Sequence, residues 1–163
     1  MQYCFGCLIL IFAIHAVEAI EISPGVITTP DSHFEDLEDH PFPPNYMQIQ
    51  GLRIHYLDEG PKEANPVFLM HGLPTWGYLF RTMIPVLTDA DHTVIVPGLV
   101  GFGKSDKFIS KHDYSYEHYI DVMKELVKRL DISEATFFGQ EEAGPRLAQL
   151  INDFIVEKPF SEP

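Results

Sequence analysis

Cysteine is nearly missing from this sequence: Cys4 and Cys7 are the only two in 163 residues, and both fall in an apolar N-terminal run. Everything after residue 7 therefore has no disulfide staple and no thiol chemistry. The Cys-x-x-Cys spacing points to redox or metal work only inside a strand–helix frame, which an apolar run does not supply. Basic residues are scarce as well. No Lys or Arg precedes Arg53, while Glu18, Glu21, Asp31, Glu35, Asp36, Glu38 and Asp39 stand unopposed, and the formal net charge is -13. Such a chain repels phosphate backbones, so nucleic acid is not an expected partner, and a polybasic membrane-surface patch is excluded on the same ground. Long apolar runs are missing too: Phe5 to Ile14 is too short to span a bilayer, so no membrane partner is expected. There is no repeat of solenoid period. What remains, 45% hydrophobic and 21% charged, is the composition of a globular domain with a sizeable core.

The apolar run has the length of the hydrophobic region of an export signal, and Val17 and Ala19 fit the small-residue pattern before a cleavage point. Residues 1–19 are thus expected to be a signal peptide cut after Ala19, giving a secreted, cysteine-free product. The start, Met1 to Cys4, lacks the usual positive charge, which leaves a buried segment or an uncleaved anchor as alternatives.

Residues 20–45 carry Pro24, Pro30, Pro41, Pro43 and Pro44 among acidic residues, the composition of an extended arm lying on a surface. Residues 46–163 then alternate short elements. Leu52, Ile54 and Tyr56 alternate with Arg53 and His55, which predicts a strand over Gly51 to Leu57. Continuous apolar runs at Val67 to Met70, Thr93 to Val96 and Ala135 to Phe138 predict strands buried on both faces. Between them, helices are expected over Trp76 to Leu87, with Pro85 weakening its last turn, over Tyr116 to Leu130, and over Ala143 to Ile155. Strand alternating with helix is the signature of a doubly wound parallel sheet, whose chemistry lies outside the carboxyl ends of the strands.

Three glycine-bearing loops fall at those ends. Gly98-Leu99-Val100-Gly101-Phe102-Gly103-Lys104-Ser105 has the spacing of a phosphate-binding loop. No helical periodicity follows until Tyr116, however, and Pro97 stands where the strand feeds the loop, so a glycine-rich turn is the better reading. Gly139-Gln140-Glu141-Glu142-Ala143-Gly144 has small residues around Glu141 at the spacing of the sharp strand-to-helix turn called a nucleophile elbow. A carboxylate at its apex could attack carbon and form an ester, although on composition alone Glu141 is better read as part of the acidic first turn of a helix. His71-Gly72-Leu73-Pro74 could supply an oxyanion donor through the Leu73 amide, with the Glu142 amide as the other. His71 itself is expected to fix that loop rather than serve as a general base. Trp76, Tyr78 and Phe80 could line an apolar pocket or simply pack.

His71-Gly72-Leu73-Pro74-Thr75-Trp76, followed by Tyr78 and Arg81, resembles the haloalkane dehalogenases. So do Gly101-Phe102-Gly103-Lys104-Ser105-Asp106-Lys107, Tyr56-Leu57-Asp58-Glu59-Gly60-Pro61 and Thr29-Pro30-Asp31. The likeness runs from about Thr29 to Gly144, and epoxide hydrolases share fewer of these stretches. The resemblance implies the α/β-hydrolase fold and a small apolar substrate. It also implies a nucleophile at Glu141 (an aspartate in that family), water activation by a histidine oriented by an acid, and no organic or metal cofactor.

Two departures bear on activity. Glu141 extends the nucleophile by a methylene, and Glu142 stands where the family has a halide-binding tryptophan. Gly98 replaces an acidic residue of the family, which is what creates the apparent phosphate loop. None of His33, His40, His55, His92, His112 or His118 occupies the family's catalytic position. The expected architecture is therefore the N-terminal half of a mainly parallel doubly wound α/β-hydrolase sheet, without cap domain or C-terminal strands. Such a protein is expected to be truncated and inactive, with possible association through an exposed sheet edge; a secreted non-catalytic binding protein is the alternative.

Overall fold

The computed structural model describes residues 19–62, 64 and 66–139. The expected signal peptide up to residue 18 and the expected helix over Ala143 to Ile155 lie outside the described residues, as do Glu141 and Glu142.

Among the described residues the strands and α-helices follow one another as β1 (Ile20–Ser23), β2 (Val26–Thr28), β3 (Asn45–Ile49), β4 (Leu52–Glu59), β5 (Val67–Met70), α1 (Met83–Thr88), β6 (Val94–Pro97), β7 (Lys107–Phe108), α2 (Tyr116–Arg129) and β8 (Thr136–Gly139). Five strands make the main sheet, in the order β3-β4-β6-β5-β8. Alternation along each strand divides its side chains between two cores. Phe68 and Met70 of β5, Ile95 of β6 and Leu52 and Ile54 of β4 enter one cluster with Val122, Met123, Leu126 and Val127 of α2. Leu69, Val94, Val96 and Leu57 point the other way, to Phe80 and Ile84. Both faces are covered, which is why β5 and β6 read as unbroken apolar runs.

The sheet is mixed rather than mainly parallel. β5 runs parallel to β6 and to β8, but β3 with β4 and β4 with β6 are antiparallel. The division follows the connections: helical crossovers return the chain for parallel pairing, whereas a two-residue turn forces the β3–β4 hairpin antiparallel. Gln50 (φ 51°) and Gly51 (φ 82°) form that turn, and positive φ at both central residues suits the twist of a hairpin.

The helix expected over Trp76 to Leu87 is instead a 3-10 turn over Gly77–Phe80 and a short α1. Pro85 lies in the first turn of α1, where its missing N–H has no intrahelical acceptor to lose, so it does not weaken a last turn. The helix expected over Tyr116 to Leu130 is α2, with Ser115 capping its start by accepting from the His118 N–H at 3.1 Å. β8 is less buried than its apolar sequence suggests: Phe138 is exposed on one face while Phe137 packs on Phe68, ring centroids 5.2 Å apart.

The arm over residues 20–45 is partly ordered into sheet. β1 and β2 pair antiparallel, and β2 pairs with β7. Arg53 ties the arm down: its guanidinium donates to Thr28 Oγ1 at 2.9 Å, lies 3.6 Å from Asp31 and stacks over Tyr46, whose hydroxyl donates to Asp31 at 3.0 Å.

Gly60 ends β4 at φ 86°, and a Cβ there would collide with the backbone carbonyl oxygen of His92. Gly60→Ala is expected to cost at least ~2 kcal/mol, left-handed strain adding to a clash that backbone cannot relieve. Gly51 has the same handedness but open space, so Gly51→Ala should cost only about 1 kcal/mol. Urea denaturation of the two variants checks the ordering; equal losses would mean the contact with His92 carries nothing.

Candidate functional site

Parallel pairing of β5 with β8 places Met70 beside Gly139. The His71 loop therefore leaves the carboxyl end of the sheet next to the last residue of β8, about 4.8 Å away. The β6 loop, Gly98 to Asp106, leaves beside them, because β6 is the other neighbour of β5.

His71 is fully buried and bonded on both ring nitrogens. Nε2 accepts the Leu99 N–H at 3.1 Å, and Nδ1 lies 3.1 Å from the Gly72 carbonyl oxygen. Burial holds its pKa down to about 4, partly offset by the bond to Gly72. A neutral ring engaged at both ends fixes one loop to the other and has no lone pair left to accept a substrate proton. That is the loop-fixing role expected from its position.

The Gly72 carbonyl also accepts the Thr75 N–H at 3.0 Å and the Thr75 hydroxyl at 2.7 Å, closing a tight turn through Leu73 and the cis Leu73–Pro74 peptide. Leu73 packs its side chain against the first core cluster. Thr75 escapes notice in the sequence, where it is one residue between Pro74 and Trp76. The usable clue is its separation of three from Gly72, the spacing that closes a turn.

The Gly98 to Ser105 stretch is a turn whose amides are bonded within itself and to β4 and its flanks. Gly98 N–H donates to His55 O, Gly101 N–H to Asp106 O, Phe102 N–H to Leu99 O and Ser105 N–H to Phe102 O. Amides committed to carbonyls cannot converge on a phosphate, and β7 follows where a helix should. Lys104 is buried, its ammonium 5.5 Å from the Phe34 ring centre, and burial lowers its pKa. Ser105 Oγ donates to the Gly98 carbonyl and accepts the His55 N–H, each at 3.0 Å. Gly98 is thus a packing position: a Cβ would lie 2.8 Å from Ser105 Oγ.

Asp106, fully buried, accepts the Arg53 N–H at 2.7 Å and stands 3.8 Å from the Arg53 guanidinium. It links the β6 loop to β4 and, through Arg53, to the arm. Lys107 donates to the Gly103 and Ser105 carbonyls, both at 2.8 Å, and burial brings its pKa down to about 8.

The aromatic residues of the β5 loop take separate places. Trp76 stacks on Tyr78 with ring centres 5.7 Å apart and meets Phe34 and His40 of the arm. Gly103 is pressed against its indole, where a Cβ would fall 2.7 Å from Cε3. Phe80 is buried in the second core, edge-on to Phe138 at 6.3 Å. Among the described residues no three His, Cys, Asp or Glu converge as metal ligands, and no helix is long and apolar enough to cross a membrane.

Comparison with known proteins fits this arrangement. A family described as alpha/beta hydrolase fold matches residues 65–140. A haloalkane dehalogenase of Psychrobacter cryohalolentis is 47% identical over 124 residues, 73% of this chain and 41% of that protein. One from Mycolicibacterium paratuberculosis is 48% identical over 121 residues, 71% of this chain and 40% of its own length. The chain thus spans about two-fifths of the curated relatives it matches. Among solved structures, a haloalkane dehalogenase of Paraglaciecola agarilytica superposes with a TM-score of 0.75 at 36% identity, covering 89% of this chain and 47% of that one. An epoxide hydrolase of Vigna radiata superposes with a TM-score of 0.64 at 20% identity, over 72% of this chain and 37% of that one, a likeness of fold.

Proposed function

Because this chain has the α/β-hydrolase fold and is related to the haloalkane dehalogenases, we propose that it belongs to a hydrolase acting on small apolar molecules with an electrophilic carbon. The observation that supports this is the parallel pairing that sets Met70 beside Gly139, so that the His71 loop leaves the sheet next to the end of β8. In this reading the Glu141 carboxylate attacks the carbon. A carbon–oxygen bond forms as the carbon–halogen bond breaks, and the halide leaves with the electron pair. The Leu73 and Glu142 amides then face the ester oxygen, where negative charge develops during hydrolysis.

The elbow slows this chemistry. The extra methylene of Glu141 displaces the attacking oxygen, a misplacement that costs ~100-fold, and a carboxylate at Glu142 repels the departing halide. Exposing the 163-residue chain to 1-bromohexane and mapping adducts by mass spectrometry tests the reading. The expected result is slow alkylation of Glu141, absent in Glu141→Gln and about 100-fold faster in Glu141→Asp. Failure of Glu141→Asp to react would sink it.

Glu142 favours a second reading, a non-catalytic binding protein on the same fold, which predicts binding of small apolar molecules without any adduct. We also propose that the chain is exported after cleavage behind Ala19. N-terminal sequencing of the secreted product should begin at Ile20.

A further inference from the structure

We propose that His71 and Thr75 are positioning residues that aim the Leu73 backbone amide by holding the Gly72 carbonyl from the opposite side of the same peptide. The aim has catalytic meaning only within the hydrolase reading above, on which this inference rests.

The argument starts from peptide geometry. In a planar trans peptide the carbonyl of one residue and the N–H of the next point in opposite directions, so fixing one fixes the other. The cis bond of this turn is Leu73–Pro74, leaving the Gly72–Leu73 peptide trans. Its oxygen receives three donors: the His71 ring at 3.1 Å, the Thr75 N–H at 3.0 Å and the Thr75 hydroxyl at 2.7 Å. Rotation of this peptide would break all three together. The Leu73 N–H is thereby turned away from the turn interior, and among the described residues it meets no hydrogen-bond acceptor. A preoriented amide costs no reorganisation when charge appears, which is how such a donor assists a reaction.

His71 extends the restraint to the neighbouring loop. With Nδ1 donating to Gly72, the ring nitrogen facing Leu99 must be the unprotonated one, and Leu99 N–H donates to it. One neutral tautomer satisfies both contacts. The β6 loop is itself pinned by Asp106 to Arg53 of β4, so the aim of Leu73 is referred back to the sheet.

Three measurements on the isotopically labelled 163-residue chain test this. Long-range proton–nitrogen spectra should find His71 neutral and protonated on Nδ1 between pH 7 and pH 5. Titration with acetate, as a probe oxyanion, should shift the Leu73 amide resonance; Thr75→Val should weaken the response and Thr75→Ser restore it. Where turnover of an activated ester is measurable, Thr75→Val should lower kcat about 10- to 100-fold with KM little changed, again restored by serine. A ring protonated on Nε2, or an acetate response of Leu73 that is absent in the parent chain or equal in Thr75→Val, overturns the proposal. The expected tautomer and acetate response without turnover or adduct would count against the hydrolase reading alone. Turnover indifferent to Thr75→Val would count against the positioning role alone.

Discussion

Lowering the pH from 7 to about 4 is expected to remove several kcal/mol of stability, most of it through two histidines. Burial holds His55 down to about 3 and His71 down to about 4, against an ordinary value of 6.5. Lys104 and the other nearby cations add to the effect at His55. Both rings stay neutral in the folded chain, while each binds a proton in the unfolded chain below about pH 6.5. The unfolded state therefore holds more protons across this window, and stability falls as pH falls. Well above pH 6.5 the two states bind alike and these rings contribute no slope. Each histidine can contribute up to ~1.4 kcal/mol per pH unit between its unfolded and folded values. His40, lowered mainly by burial, acts in the same direction. Denaturation series at pH 7, 6 and 5 check this before most carboxylates titrate. Stability that is flat over that range would contradict the burial of both rings, whereas His71→Gln should halve the slope even though it lowers stability at pH 7.

Phe68→Ala is expected to cost about 3–5 kcal/mol, a large part of the 5–15 kcal/mol that usually holds a domain together. Phe68 is fully buried in β5, with Ile95 on the adjacent strand β6, Ile54 on β4 one strand further and Leu126 of α2 in its cluster. Its ring lies at 47° to that of Phe137. Truncation removes a large apolar side chain and leaves a cavity between sheet and helix that the rigid strands cannot close. A shifted urea midpoint at constant slope is the measurement. A loss below about 1 kcal/mol would mean the cluster does not close around this residue.

The parts of the fold visible in the sequence are those whose physics is local. Val67 to Met70 and Val94 to Val96 are unbroken apolar runs because two cores claim alternate side chains. Tyr116 to Leu130 shows its apolar stripe because α2 has one buried face. β3 was not legible, since Asn45 to Ile49 is an edge strand of mixed character whose identity depends on pairing with β4; the turn residues Gln50 and Gly51 were the available clue. The first piece starts at Gly77 rather than Trp76 because the backbone at Trp76 is extended, with its indole against Gly103 and against Phe34 and His40 of the arm. The site divides in the same way. Gly72, Leu73 and the loop-fixing place of His71 follow from the motif. The contribution of Thr75 and the Arg53–Asp106 tie are non-local or turn-specific and need coordinates.

The place of β5 between β6 and β8 also sets an order of events during synthesis. Val67 pairs with Val94 and with Thr136, so one edge of β5 waits for residue 94 to emerge and the other for residue 136. At ~5–20 residues per second, the nascent strand spends several seconds with its second edge open, even after β6 is available. Four apolar residues with an open hydrogen-bonding edge are a template for a neighbouring chain. The strands are thus not made in the order in which they lie: β5 is synthesised before both of its neighbours. Its second edge is secured last, so its safety on the ribosome depends on how quickly the residues up to Gly139 follow.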